Sequence, residues 1–187
     1  MDLTALKPVE PAATTPAGER VLTAASHLFY RRGIHAVGVD LIAETAGVTK
    51  RTLYQRFGSK EALAVAYLQA RAARWQRMLL EALDQPSSGA DGIRMVFEAA
   101  ARWARDNPRG CAFVNAWGEI GGSDHPAVGV IAAEKTWMRT LFTILTGDAD
   151  TARAVHLLYE GAHVSATTLG EADAYDEAGR VAMTLVR

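Results

Sequence analysis

The sequence has only one cysteine and no long hydrophobic run. Because Cys111 is the single cysteine in 187 residues, the chain cannot form an internal disulfide, which is typical of proteins in a reducing compartment. No apolar stretch approaches the ~20 residues that a membrane-spanning helix needs. Residues 1–16 also lack the apolar segment of a secretion signal. We therefore expect a cytoplasmic protein with no membrane association.

A strong excess of charge of one sign is also missing, since the net charge is −1. This argues against a protein that coats nucleic acid by charge alone. The charges are unevenly distributed, however. Residues 1–78 contain 11 Lys and Arg against 6 Asp and Glu, whereas residues 79–187 contain 9 against 15. The asymmetry favours a phosphate-binding surface in the first part and another role for the remainder, with a chance distribution as the alternative.

No segment shows the sustained two-residue alternation of a β-strand. Apolar residues recur instead at spacings of three and four, which predicts an all-α fold with about nine helices. Residues 1–17 contain three prolines and are predicted to form a disordered arm. The predicted helices span residues 18–32, 40–46, 49–57, 59–83, 92–106, 112–120, 126–145, 151–169 and 172–186.

The most informative stretch is residues 40–63, DLIAETAGVTKRTLYQRFGSKEAL. Two short helices, capped by Asp40 and Thr49, meet at Gly47, where a tight turn disfavours a Cβ atom. This pattern is typical of a helix-turn-helix, whose second helix enters the major groove. Arg51 suits guanine and Gln55 suits adenine. The remaining predicted DNA-binding residues have side chains suited to phosphates or lie in the first turn of the second helix: Thr49, Lys50, Thr52, Tyr54 and Lys60. Glycine-linked short helices also occur in domains that bind no DNA, which leaves a purely structural role as the alternative.

The same stretch resembles the signature of the TetR family of bacterial regulators. The matching residues are Ile42-Ala43, Ala46-Gly47-Val48, Leu53-Tyr54, Phe57, Ser59-Lys60-Glu61 and Leu63. The resemblance implies a homodimer that reads a palindromic operator in double-stranded DNA, with Tyr54 and Lys60 on the DNA backbone. Arg51 departs from the family pattern, where a glycine or small residue is usual, so it is expected to add a specific contact.

The resemblance also implies how the rest of the chain is organised. Residues 18–64 would form the DNA-binding domain, and residues 65–187 would bind an effector and dimerise through the last two helices. We therefore expect a repressor that an unknown small molecule releases from DNA; an activator or a protein ligand stays open. The residues predicted to line the effector pocket are Trp103, Phe113, Asn115, Trp117, His125, Trp137 and Tyr159, although each aromatic side chain taken singly fits an ordinary core position equally well.

Two further groups of residues suggest chemistry of another kind. His156, Glu160 and His163 share one helical face, which makes them weak candidates for a metal site; a polar stripe is the favoured interpretation. Cys111 follows a glycine near a helix start, where the pKa of a thiol can fall, and His125 is a second reactive side chain. No nucleophile motif, phosphate loop or carboxylate pair is recognisable. The sequence therefore predicts neither an enzyme nor a cofactor.

Overall fold

The computed structural model describes residues 2–186, and over that range it contains nine α-helices and no strand. A π-helical turn, Ser165–Leu169, extends α8. The helices are α1 Pro16–Arg32, α2 Val39–Thr45, α3 Lys50–Phe57, α4 Lys60–Ala82, α5 Gly89–Asp106, α6 Ala112–Ile120, α7 Ala127–Thr146, α8 Ala149–Val164 and α9 Ala174–Leu185. The predicted all-α class is confirmed, and most predicted helix ends fall within one or two residues of these bounds. Among the described residues, none of the helices combines the length and hydropathy needed to cross a membrane.

The described chain forms two compact units. The N-terminal unit consists of residues 9–74 and 112–133, and the C-terminal unit consists of residues 2–8, 75–111 and 134–186. The N-terminal unit therefore contains α6 and the beginning of α7 in addition to the helix-turn-helix predicted for residues 18–64. The domain boundary predicted at residue 64 does not account for residues 112–133, which are distant in sequence but belong to the same unit.

In the N-terminal unit, α1, α2 and α3 pack against one another. Their apolar stripes bury Val21, Ala25, Ile42 and Leu53 completely. Gly47 sits between α2 and α3 with a φ of 61°, a left-handed conformation that glycine adopts without a Cβ penalty. The predicted helix-turn-helix is thus formed, and the buried Leu53 packs its second helix, α3, against the rest of the unit.

The helix caps agree with the sequence prediction in two cases and differ in one. Thr49 Oγ1 accepts a hydrogen bond from the backbone N–H of Thr52, and Ser59 Oγ accepts one from that of Ala62, as predicted for α3 and α4. The prediction that Asp40 caps α2 is wrong. The cap position is Gly38, which has no side chain to bond, and Asp40 lies in the first turn instead. There its carboxylate still complements the positive end of the helix dipole.

The C-terminal unit has its own core, built where α9 packs on α5 and α8. Its largest fully buried side chains include Leu79, Ile93, Phe97, Met138 and Phe142. Residues 2–8, within the segment predicted to be a disordered arm, make contacts in this unit. Leu6 is buried in the core, and the indole N–H of Trp137 donates a hydrogen bond to the carbonyl of Lys7 at 2.8 Å. The proline-rich segment is therefore attached to the C-terminal unit through Leu6. Its composition alone does not predict this contact.

Candidate nucleic-acid interface

One side of α3 is buried and the other is open to solvent. Leu53 is fully buried, whereas the next residue, Tyr54, is 42% exposed. The predicted base-reading residues Arg51 and Gln55 are exposed on the same outer surface. Of the other predicted DNA-binding residues, Thr49 and Lys50 are exposed, while Thr52 and Lys60 are partly exposed. The helix therefore presents long polar side chains that can enter a groove while its apolar side stays in the core.

Lys50 forms an ion pair with Asp40 of α2. Its ammonium nitrogen lies 2.9 Å from Asp40 Oδ1, and both side chains are well exposed. The hydrogen bond from Lys50 to Asp40, together with the charge of this carboxylate, raises the pKa of Lys50. An approaching phosphate would have to replace Asp40 as the partner of this ammonium, so the acidic residue competes with the contact predicted for Lys50.

Lys60 and Glu119 hold the loop between α1 and α2 through the same residue. The ammonium of Lys60 lies 3.4 Å from the carbonyl oxygen of His35, and the backbone N–H of His35 donates to Glu119 Oε2 at 2.8 Å. The carboxylate of Glu119 also lies against Gly33, whose φ is 91°, so a Cβ built there would be 2.8 Å from Glu119 Oε1. Glu119 belongs to α6, so a helix distant in sequence fixes the loop that leads into the helix-turn-helix.

The residues predicted to line an effector pocket divide between the two units. Trp103, Trp137 and Tyr159 belong to the C-terminal unit, and Phe113, Asn115, Trp117 and His125 belong to the N-terminal unit. Several have structural contacts: Trp103 packs on Trp75, Tyr159 packs on Phe97 and Phe142, and His125 Nδ1 accepts from the N–H of Ala127. A pocket lined by all seven stays a prediction.

The weak metal candidates have other contacts. His163 Nδ1 lies 2.8 Å from the hydroxyl of Tyr175, and His156 Nε2 lies 3.2 Å from Glu160 Oε1. Within residues 2–186, no group of three His, Cys, Asp or Glu is arranged to hold a metal ion. Cys111 lies in the C-terminal unit and His125 in the N-terminal unit, and the thiol is 3.5 Å from the ammonium of Lys135.

Sequence reasoning overlooked Glu134 and Lys135, and it considered Glu119 only as a polar anchor of the effector pocket, not as a partner of the loop between α1 and α2. Glu134 and Lys135 interrupt the apolar sequence of α7, AVGVIAAEKTWM, and Glu134 is buried there. An acidic and a basic residue in the middle of an apolar helix would have been the available signal. Glu119 gives no such signal, because its partner is a backbone N–H on a distant loop.

An apolar groove of about 610 Å³ runs along α8 and α9 in the C-terminal unit. Leu157, at 73%, is among the most exposed apolar side chains of the described chain, and Gly161 opens the floor of the groove beside it. The other lining residues are Ala154, Leu158, Ala162, Ser165, Glu171, Ala174, Glu177, Ala178, Val181 and Leu185. An exposed apolar surface of this kind is typical of a protein–protein contact.

Comparisons with known proteins point to one family. Residues 21–67 match the family model described as bacterial regulatory proteins, tetR family. The chain is 34% identical over 121 residues to an HTH-type transcriptional regulator of Mycobacterium tuberculosis, a match that covers 64% of this chain and 60% of that relative. Over 80 residues it is 40% identical to the HTH-type transcriptional activator FasR of Mycolicibacterium smegmatis, covering 43% of this chain and 36% of FasR. The chain thus spans less than two thirds of these relatives' length.

A solved structure extends the similarity to nearly the whole fold. It is that of a TetR-family transcriptional regulator from Streptomyces coelicolor, with a TM-score of 0.83 and 28% identity. The superposition covers 92% of this chain and 89% of that one. The family match falls on the segment that forms α1–α3 and the start of α4, where Gly47 makes the turn and Leu53 anchors the recognition helix. The chain thus carries a tetR-family domain over residues 21–67 and is similar in fold to a TetR-family transcriptional regulator over 92% of its length.

Proposed function

We propose that the protein is a cytoplasmic, non-enzymatic transcriptional regulator that binds a palindromic operator as a homodimer. The observation that carries the proposal is the amphipathic α3, with Leu53 buried and Arg51 and Gln55 exposed on a helix that the turn at Gly47 sets in place. In this proposal Arg51 and Gln55 read bases, and Tyr54 and Lys60 contact phosphates. The basic balance of residues 1–78 supports the phosphate contacts.

The groove on α8 and α9 supports the homodimer. Its lining combines exposed leucines with small residues such as Gly161 and Ala178, which permit two helices to approach closely. A two-fold axis through this surface would pair each helix with its copy and cover the same apolar patch on both protomers. Two recognition helices related by such an axis match a palindromic site.

Repression and release by a small molecule complete the proposal. α4 has its first residues in the N-terminal unit and its last in the C-terminal unit, so one continuous helix carries the chain between them. In the proposed mechanism an effector shifts α4, so that the α3 helices of the two protomers no longer fit adjacent grooves of the DNA. This requires that the effector bind the released conformation more tightly than the DNA-binding one by only a few kcal/mol. Because FasR is named an activator, the direction of regulation needs a direct test.

The first experiment selects bound duplexes from a random DNA library with the purified full-length protein at low and high salt. We expect enrichment of a palindrome whose half-sites lie about one helical turn apart or a multiple of it. Failure to enrich any sequence with a folded dimer would contradict the proposal. A reporter gene placed downstream of the selected operator then gives the direction of regulation.

Variants of the phosphate-contacting residues test how α3 docks. Tyr54→Phe and Lys60→Ala should weaken binding to operator and to random DNA by similar factors, and Lys60→Ala should reduce the salt dependence by roughly one counterion. A loss confined to the operator would assign these two residues to base reading instead.

A further inference from the structure

The loop between α1 and α2 is held by side chains from two other helices of the N-terminal unit. Ile34 and Val37 anchor the loop in the core, being 3% and 0% exposed, and His35 lies exposed between them. The backbone N–H of His35 donates to Glu119 Oε2 of α6 at 2.8 Å, and its carbonyl oxygen lies 3.4 Å from Lys60 Nζ of α4. One residue of the loop therefore connects a side chain of α6 with a side chain of α4.

Gly33 allows the carboxylate of Glu119 to approach the loop closely. A Cβ built on Gly33 would lie 2.8 Å from Glu119 Oε1 and 3.0 Å from Oε2, which is too close for a methyl group. The φ of 91° at this glycine is also one that other residues rarely adopt. The loop thus contributes both a donor and the space for the carboxylate.

Lys60 lies immediately after the recognition helix in the chain. It is the first residue of α4, three positions after Phe57, where α3 ends. An ammonium has three N–H donors, so a bond to the carbonyl of His35 leaves two for phosphate oxygens. Because a lysine side chain is long and flexible, ordering it at the moment of DNA binding costs free energy. The carbonyl of His35 lowers this cost by holding the ammonium in place beforehand.

The charge of Glu119 on its own opposes DNA binding. A carboxylate near a surface that receives phosphates repels them, so electrostatics alone predicts that its removal tightens binding. The contacts of Glu119 predict the opposite sign. Without the carboxylate, the loop loses its bond to α6, and the carbonyl that holds Lys60 is no longer fixed. The two effects can therefore be told apart by the direction in which affinity changes.

We propose that Glu119 is a positioning residue for DNA binding, which sets the ammonium of Lys60 through the backbone of His35. The inference rests on the proposed function, in which Lys60 contacts phosphate. It adds to that function a side chain on a helix outside the helix-turn-helix. Since phosphate contacts carry no sequence information, Glu119 affects affinity for every duplex and leaves the choice of sequence unchanged.

The test is a double-mutant cycle of Glu119→Ala and Lys60→Ala in the full-length protein. Fluorescence anisotropy measures binding to the operator and to a random duplex. We expect Glu119→Ala to weaken binding to both duplexes by about 3- to 10-fold, the range that corresponds to ordering one long side chain. In the Lys60→Ala background, the same substitution should change affinity by less than about 1.5-fold, because the lysine that it positions is absent.

Three further measurements separate positioning from general effects on the fold. Glu119→Gln keeps an oxygen acceptor for the N–H of His35 and should retain affinity within about 2-fold. Asp124→Ala removes an exposed acid of the same unit and should leave affinity unchanged or slightly higher. The salt dependence of Glu119→Ala should fall toward that of Lys60→Ala, because its lysine contacts phosphate less. If Glu119→Ala does not fold, Glu119→Asp, whose carboxylate is withdrawn by one methylene, replaces it in the cycle.

The outcomes distinguish this inference from the function on which it rests. Equal weakening by Glu119→Ala with and without Lys60 overturns the inference and leaves the contact a role in stability alone. Unchanged or tighter binding by Glu119→Ala overturns it as well. The random duplex makes the cycle independent of sequence selection. Coupling without an enriched palindrome contradicts only the proposed regulator, and an enriched palindrome without coupling contradicts only the inference.

Discussion

The carboxylate of Glu119 accepts a hydrogen bond from the backbone N–H of His35, which lies 84 positions earlier in the chain. This contact ties α6 to the loop that connects α1 with the helix-turn-helix. A carboxylate acceptor on a backbone donor is a charge-assisted hydrogen bond, and its removal leaves the loop amide without its protein partner.

We expect Glu119→Ala to lower the free energy of unfolding by about 1–2 kcal/mol, since the carboxylate is partly exposed and the freed amide gains water. Urea unfolding followed by circular dichroism measures the change. Glu44→Ala on the exposed part of α2 is the control and should alter stability by less than ~0.5 kcal/mol. Equal stability of both variants would show that the contact contributes nothing.

Arg51 provides the test of base reading. Arg51→Ala should weaken operator binding by ~1–3 kcal/mol and relax the sequence preference at one position of each half-site, because a guanidinium bonds two acceptors of guanine at once. Competition binding with operators mutated at each base pair maps the position. Arg102→Ala, an exposed arginine on α5, removes the same charge and should retain full specificity. An unchanged preference in Arg51→Ala would exclude this residue from base reading.

The ion pair between Asp40 and Lys50 predicts a variant that binds DNA more tightly. Asp40→Asn frees the Lys50 ammonium for phosphate and removes a like charge from the interface, so operator affinity at low salt should rise several-fold. Fluorescence anisotropy with a labelled operator measures it. Asp124→Asn makes the same charge change at an exposed site in the same unit and should have a smaller effect. A loss of affinity in Asp40→Asn would mean that the pair orients Lys50 for binding.

The groove on α8 and α9 predicts a monomeric variant. Leu157→Glu places a charge on a surface that the proposed dimer would bury, which costs several kcal/mol per unpaired charge. Sedimentation velocity should show a folded monomer with weakened operator binding. Val114→Glu, at another exposed apolar position, should remain dimeric. A dimeric Leu157→Glu would place the subunit contact elsewhere.

His163 predicts a dependence of stability on pH. Burial and the nearby Lys135 charge lower the pKa of this histidine from 6.5 to about 4, while Glu160 opposes and His156 adds to the lowering. Between pH 6.5 and 4 the unfolded chain therefore binds a proton that the folded protein excludes. The stabilisation is complete above pH 6.5 and is lost as the pH falls toward 4.

The variant His163→Asn should remove this contribution while keeping a polar atom near Tyr175. Unfolding midpoints at pH 6.5 and 4.5 should differ less in the variant than in wild type, by on the order of 1 kcal/mol because the side chain is partly exposed. Glu134, whose pKa is raised, contributes with the opposite sign in both proteins, so the difference between them isolates His163. His27→Asn, on the exposed part of α1, is the control; identical pH dependence of all three proteins would refute the assignment.

Local signals allowed most of the fold to be predicted. Gly33, Gly47 and Gly58 end or join helices through backbone conformations with positive φ, and the sequence marks each of them plainly. The prediction that Asp40 caps α2 was wrong because aspartate is a common residue at the cap position. In this helix the cap position is occupied by Gly38, which has no side chain. The recognition helix was predictable for the same local reasons, since Thr49 and Leu53 act within a few residues of their own position.

The contacts that join distant segments were not predictable. Glu119 bonds a backbone N–H, a partner that no residue type identifies. The docking of Leu6 depends on a core assembled from helices far along the chain. The predicted pocket residues are likewise divided between two units because of long-range packing. The spacing of apolar residues along the sequence gives no information about such packing.

The single thiol gives the protein a built-in position for spectroscopic labelling. Cys111 is partly exposed, is in no disulfide, and is the last residue of its segment before α6. A nitroxide attached there needs no engineered cysteine and no background removal. In a homodimer two such labels would define one distance, and pulsed electron resonance could follow that distance as operator is added. The protein, without any substitution, could thus be used to measure how operator binding shifts the equilibrium between its conformations.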